Sequence, residues 1–437
     1  MRDKCRVFPC ALLCALSLLL TPLAGRAAEA PRVDASRLNE TMSAMKAFGA
    51  MPGGGSARVA YSEANLDALR YVEALMKEAG LSTRIDAAGN LVGTRPGLES
   101  ELKPLMAGSH IDTVPNGGHY DGVVGSMAAV EVARTLHDRG IELRHPVEFI
   151  IWSNEEGGKN GSRAMGGLVS PQEFDLPSLG ERRLGEGMRF LGGDPGALAS
   201  VARGPGDAAA YLELHIEQGA ILDQRDIDIG VVQGIVGIRR WNISVEGMTN
   251  HAGTTPMDQR RDALYVASRL VTLIRDEITR VPGSQVGTVG RIEAFPGAPN
   301  VIPGKATLSL EIRDLSMERI GQFFDAIRVA ADDLARETST TIRFEQFYES
   351  LAAPTDEHLQ AMVADSAEAL GLSTLYMPSG AGHDAQSLAA ICPLGMIFVP
   401  SDGGISHSPE EYTSPAAIAN GADVLLAVLL RADAAID

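Results

Sequence analysis

Side chains suited to holding a metal are scattered from residue 110 to residue 407 of this 437-residue chain, so only a fold that gathers distant loops along one edge can bring them together. They stand in Gly108-Ser-His-Ile-Asp112, Tyr120-Asp121-Gly122, Asn154-Glu155-Glu156-Gly157, Glu213-Leu-His215-Ile-Glu-Gln218-Gly219 and Ile405-Ser-His407-Ser-Pro409. Together they offer three imidazoles (His110, His215, His407) and two carboxylates (Asp121, Glu156), with a spare carboxylate, Glu155, beside one of them. A mixed N/O set suits Zn²⁺ or a similar divalent ion, and two metals sharing one carboxylate can activate a water for hydrolysis.

The surrounding sequence supplies such an edge. Leu105 to Ser109 and Val147 to Trp152 are apolar runs of buried-strand type, separated by a helical stretch from Val123 to Arg139. This β–α–β rhythm predicts a largely parallel sheet covered by helices. His110 directly follows one such strand, Glu155 and Glu156 follow another, and His215 closes the run from Ala209. In open α/β sheets, ligands bind outside the carboxyl ends of the strands. Residues 34 to 82 read as helical, with apolar spacing clearest from Asn65 to Gly80.

A chain this long exceeds one ordinary core, and a second unit begins near Val231. Arg240–Glu246, Gly287–Glu293, Lys305–Arg313 and Thr341–Glu345 read as strands, and Arg260–Ile278 and Ser316–Glu337 as helices. Strand–helix–strand–strand–helix–strand is a compact α/β sandwich. It lies between the first four motifs and the last, as an insertion. The expected layout is an export signal (1–30), a catalytic domain in two parts (31–232 and 347–437) and an inserted lid domain (233–346). The catalytic domain closes with a helix from Pro415 to Leu430.

The signal expectation rests on Arg2, Lys4 and Arg6, an apolar run from Val7 to Leu20, and small residues at Ala24, Gly25, Ala27 and Ala28. It predicts a periplasmic or secreted protein; an uncleaved anchor is the other reading. No other run approaches the ~20 apolar residues of a membrane span. The net charge of −18 argues against nucleic acid and anionic membrane as partners. Cys5, Cys10 and Cys14 fall in the signal, so Cys392 alone survives processing and reads as buried packing.

With further segments added, the chain resembles the hydantoinase/carbamoylase branch of the M20 metallopeptidase-like family. The added segments are Asn250-His-Ala-Gly-Thr-Thr-Pro256, Pro299-Asn-Val-Ile-Pro-Gly304 and Ser379-Gly-Ala-Gly-His-Asp-Ala385. The resemblance covers residues 35 to 432. It implies an α/β fold, with a mainly parallel-sheet, zinc-exopeptidase-like catalytic domain and an inserted sandwich that serves as lid and dimerisation domain. It also implies two divalent ions per subunit, Zn²⁺ first, with Mn²⁺ and Co²⁺ as alternatives. His110, Asp121 and His215 would hold one ion; Asp121, Glu156 and His407 would hold the other. Asp112 would orient His110, and Glu155 would be the general base.

His251, carried on the lid, would donate to the oxyanion in the active site of the partner subunit of a homodimer. Arg313 and Asn300 match the carboxylate-binding pair, and Gln218, His383 and Gly382 match substrate-facing positions. The implied substrate is a small ureido acid, an N-carbamoyl-L-amino acid or allantoate. An aminoacylase-like or dipeptidase-like hydrolase is the alternative, and an exported binding protein the non-enzymatic rival. Plainer readings stand beside these roles: Arg313 pairing with Glu311 or Asp314, His251 as a turn residue, Gln218 as a structural hydrogen bonder. In one place the chain departs from the branch. Relatives continue Glu-Glu-Gly with a small residue and Arg-Phe, whereas Glu156-Gly-Gly-Lys-Asn-Gly-Ser162 is shorter and lacks that pair.

Overall fold

Four strands with no exposed residue, Leu105–His110, Val147–Trp152, Ala210–Ile216 and Leu394–Val399, form the centre of the molecule. In the computed structural model, which describes Met1 and residues 30–436, these strands run parallel in the order Val147, Leu105, Ala210, Leu394. Continuous apolar runs are what a sheet covered on both faces requires. Antiparallel strands extend both edges of this nine-stranded sheet. Ser82–Ile85 and Leu91–Arg95 lie on one side; Ile229–Ile235 and Ala353–Pro354 lie on the other. Thr374–Ser379 adds a parallel pairing to Ile229–Ile235. The sheet is therefore mixed, with a parallel core. The expected export signal lies outside the described residues.

Helices Val123–Asp138 and Pro415–Ala435 cover one face within a single apolar cluster that includes Phe149, Leu212 and Leu214. Contact is close: a Cβ on Gly125 would fall 1.9 Å from the Leu214 carbonyl oxygen. The other face packs Met106, Trp152, Tyr211 and Phe398. There Trp152 Nε1 donates to Tyr211 Oη (2.8 Å), which donates to Gly108 O (2.9 Å), so both buried polar tips are satisfied. Cys392 is buried in this cluster as expected, and burial pushes its thiol up to about 12.

Helix Pro415–Ala435 runs past the expected Leu430 and is long and apolar enough to cross a membrane. Its apolar face is instead core, and two buried acids tie it down. Asp423 accepts from Val33 N, and Asp433 accepts from Arg144 N and His145 N. His145, outside every motif, is a packing residue between Lys103 O and Ile436 O.

A second, wholly antiparallel sheet is built from residues 237–350. Helices Ala263–Thr279 and Met317–Thr338 share its apolar cluster, which contains Trp241, Ile243, Leu308 and Leu310. The strand Lys305–Asp314 alternates buried and partly exposed residues, the signature of a half-covered sheet. Two expectations change. The helical stretch 34–82 is two helices, Ala35–Met45 and Glu63–Glu78, parted by the Met51-Pro-Gly-Gly-Gly55 breaker. The strand expected at Gly287–Glu293 is two strands, Val286–Thr288 and Ile292–Phe295, interrupted around Gly290.

Candidate active site

The parallel core aims its carboxyl ends at one place. His110 ends its strand, His215 is the penultimate residue of its strand, and Glu155 and Glu156 follow Trp152 after a turn at Asn154 (φ 53°). Asp121 precedes helix Val123–Asp138, and His407 (φ 55°) lies in the loop beyond Leu394–Val399. Gly122 makes the turn at Asp121 possible. It sits at φ 67°, and a Cβ there would come 2.4 Å from the His110 ring.

Asp121 is the hub. Its Oδ1 lies 3.5 Å from His110 Nε2 and 3.1 Å from His215 Nε2; its Oδ2 lies 3.2 Å from His407 Nε2. Glu156 Oε1 is 3.6 Å from the same His407 nitrogen, and Glu155 Oε2 is 3.9 Å from His110 Nε2. Donor atoms of His110, Asp121 and His215 all fall within 4.8 Å of one another, as do those of Asp121, Glu156 and His407. Two sets of three therefore share one carboxylate.

The donors fit divalent cations. His110 Nδ1 lies 3.1 Å from Asp112 O, and His215 Nδ1 lies 2.9 Å from Ile216 O. Carbonyls only accept, so each neutral ring carries its hydrogen on Nδ1 and turns the Nε2 lone pair toward Asp121. The charge balance also calls for cations. Burial, then the charges of Asp121 and Glu155, push Glu156 up to about 9. Burial raises Glu155 as well, against the pull of His110. Burial lowers both His110 and His215, but the surrounding carboxylates, Asp121 foremost, together outweigh it and hold both above the usual imidazole range.

Asp112 does more than orient one ring. Its carboxylate stands 3.7 Å from His110 Nδ1, while Oδ1 and Oδ2 accept the backbone N–H of Glu155 (3.3 Å) and Glu156 (3.2 Å). Glu411 does the same on the opposite side and escaped the sequence reading. Its Oε1 accepts from Tyr120 N (2.8 Å) and Asp121 N (3.1 Å), and its Oε2 from Ser406 Oγ (3.0 Å) and His407 N (3.3 Å). The signal available was its place four residues after His407. Glu213, His215 and His383 also lie together. There, however, the Glu213 oxygens accept from Ser109 Oγ and Ala385 N, which makes them support for the strand ends.

The remaining expected residues divide. Gln218 touches the hub, donating Nε2 to Asp121 Oδ2 at 2.6 Å. His383 is buried with Nε2 2.7 Å from Ser379 Oγ, its ring edge-on to His215 at 4.4 Å between centroids. Burial, then the charge of His215, keep it well below the usual imidazole range. Arg313 pairs with Glu311 (2.7 Å), and its Nη1 also donates to Gly380 O (2.6 Å) in the loop that carries Gly382 and His383. His251 and Asn300 are exposed on a two-stranded ribbon, in which His251 faces Val301 and Ala252 N donates to Asn300 O. Among the described residues, His251 forms no hydrogen bond or ion pair with the Asp121 cluster of its own chain; its Nδ1 accepts from Gly253 N.

The chain that builds this cluster is similar to known proteins over most of its length. Residues 106–431 match the model of "Peptidase family M20/M25/M40". The N-carbamoyl-L-amino acid amidohydrolase of Geobacillus stearothermophilus is 38% identical over 398 residues, covering 90% of this chain and 97% of that one. The allantoate amidohydrolase of Bacillus subtilis is 35% identical over 390 residues, covering 88% and 94%. The crystal structure of an amidase of the hydantoinase/carbamoylase family from Burkholderia multivorans superposes with a TM-score of 0.84 at 33% identity, covering 92% and 98%. The site geometry and the end-to-end similarity together establish that this chain belongs to peptidase family M20/M25/M40, in its hydantoinase/carbamoylase branch.

Proposed function

We propose that this protein is an exported, homodimeric amidohydrolase that cleaves the ureido C–N bond of a small carboxylate-bearing molecule with two divalent ions per subunit. Zn²⁺ is the first choice for imidazole and carboxylate donors, with Mn²⁺ and Co²⁺ compatible. The observation that carries the reading is Asp121 shared between two donor sets, with Glu155 beside them. The names of the relatives support the ureido class.

His110, Asp121 and His215 would hold one ion, and Asp121, Glu156 and His407 the other. Ions held there would polarise the ureido carbonyl and acidify a nearby water. Glu155 takes the proton from that water as it attacks the carbonyl carbon. A carboxyl raised by burial is suited to accepting a proton and then releasing it. Glu155 next delivers the proton to the leaving nitrogen. The C–N bond breaks, ammonia departs, and the carbamate left behind decomposes to carbon dioxide and the free amine. Arg313 and Asn300 take the substrate carboxylate, a planar guanidinium being matched to that group. His251 of the partner subunit donates to the developing oxyanion.

The test is ammonia release by protein reloaded separately with Zn²⁺, Mn²⁺ and Co²⁺. The substrates offered are allantoate, ureidoglycolate, β-ureidopropionate and several N-carbamoyl-L-amino acids. Release from at least one of them is expected. Silence on all of them, with metal bound and dimer intact, rejects the ureido reading in favour of N-acyl amino acids or dipeptides.

A further inference from the structure

Lys159 stands on the same tight loop as Glu155 and Glu156, where the chain lacks the Arg-Phe pair of its branch. Residues 153–161 fold back on themselves. Gly158 N and Lys159 N both donate to Glu155 O, Asn160 N to Asn154 O, and Gly161 N to Ser153 O. This holds Lys159 at φ 57°, a left-handed conformation that a side-chain-bearing residue keeps only when its surroundings fix it. The side chain crosses to the loop 379–383. Its Nζ donates to Gln386 Oε1 at 2.5 Å and lies 3.1 Å from where a Cβ on Gly382 would be.

An ammonium has three donors. Among the described residues, this one has a single hydrogen-bond partner, a neutral amide, and no ion pair. The loop it reaches carries His383, whose ring stands edge-on to His215 at 4.4 Å between centroids. Arg313 reaches the same loop from elsewhere, at Gly380 O. Two cations thus meet one substrate-facing loop. Arg313, with its fork, suits one carboxylate; the unpaired point charge of Lys159 suits a second.

We propose that Lys159 binds a second carboxylate, on the side chain of the substrate, so that the preferred substrate is a ureido dicarboxylic acid; this rests on the ureido reading above.

The metal-loaded protein and its Lys159→Gln and Lys159→Arg variants would be assayed on N-carbamoyl-L-aspartate and N-carbamoyl-L-glutamate against N-carbamoyl-L-alanine and N-carbamoyl-L-leucine. The wild type is expected to favour a diacid in kcat/KM. Lys159→Gln should cut the diacid-to-monoacid ratio about tenfold, mainly through KM, and Lys159→Arg should restore most of it. No diacid preference, or an equal loss on both classes, overturns the proposal. If Lys159→Gln does not fold, the wild-type preference and the Lys159→Arg variant decide. Failure of every ureido acid counts against the underlying reading alone. The same diacid comparison with N-acetyl-L-aspartate and N-acetyl-L-alanine then tests Lys159, with the same ratio as readout.

Discussion

Among the described residues the Glu155 carboxylate has no hydrogen-bond partner, and this separates it from the carboxylates around it. Asp112 is pinned by two backbone N–H groups and Asp121 by imidazoles, Gln218 and Ser406, whereas the Glu155 carboxylate has, among the described residues, one ion-pair neighbour, His110, at 3.9 Å. Glu155→Gln keeps the shape and removes the proton acceptor. We expect kcat to fall about 10³-fold, in the range of general acid–base contributions, with the metal content by mass spectrometry unchanged. Retained turnover would remove Glu155 from the role. At Gly122 the constraint is steric: Gly122→Ala adds a methyl against the His110 ring at positive φ, and should abolish metal uptake while the circular dichroism stays native. At this scale the site was largely legible in the sequence, because His110, Asp121, Glu156, His215 and His407 each sit in short motifs with the right donor chemistry. What could not be read was how they are held: Asp112 was expected only to orient His110, and Glu411 was not expected at all. Asp112 and Glu411 act on backbone N–H groups, which leave no mark in a residue pattern.

Strands were readable where burial dictates composition, and so were the helices that cover them. Leu105–His110 and Val147–Trp152 are buried throughout and mostly apolar because both faces of the sheet are covered. The misread boundaries fall where Gly and Pro act locally, at Met51–Gly55 and around Gly290, and where the antiparallel edge strands pair without a strong apolar run. The joining of elements was hidden altogether. Glu411 ties the turn before helix Val123–Asp138 to the loop carrying His407, across a sequence separation of 291 residues between Tyr120 and Glu411. Glu411→Gln keeps one accepting oxygen and places an amide NH₂ where an acceptor was. One pair of donors, Tyr120 N with Asp121 N or Ser406 Oγ with His407 N, then loses its partner. Metal affinity measured by calorimetric titration is expected to fall about 10- to 100-fold, the usual effect of losing a group that orients ligands. Affinity within twofold of wild type would show that the two loops hold their positions without it.

The whole molecule concentrates negative charge at one edge of its main sheet, and this sets how it should respond to pH. In metal-free protein, Glu156 is pushed up to about 9 by burial and its carboxylate neighbours, and His407 is raised to about 9, chiefly by its hydrogen bond to Asp121. Both bind more protons folded than unfolded, so their stabilisation is complete below the ordinary values and is lost as pH rises toward 9. Asp121, held well below its ordinary value mainly by His110, His215 and His407 against the effect of burial, contributes a constant amount in that window. The Tm of chelator-treated protein should therefore fall between pH 6.5 and 9. The Tm gain on adding Zn²⁺ should grow over the same range, since cations displace those protons; parallel melting curves with and without metal would contradict it. The proposed homodimer is the other property of the whole molecule, and it follows from where the second sheet leaves His251. That histidine is exposed on its ribbon and, among the described residues, forms no hydrogen bond or ion pair with the Asp121 cluster of its own chain. In a two-fold dimer each active site would combine Glu155 of one subunit with His251 of the partner subunit. Glu155→Gln and His251→Ala homodimers should each be nearly inactive. After mixing and subunit exchange, half the molecules are mixed dimers with one complete site, so about a quarter of wild-type activity should return. No recovery, with exchange verified by mass spectrometry, would confine His251 to its own subunit and require the lid to close within the chain.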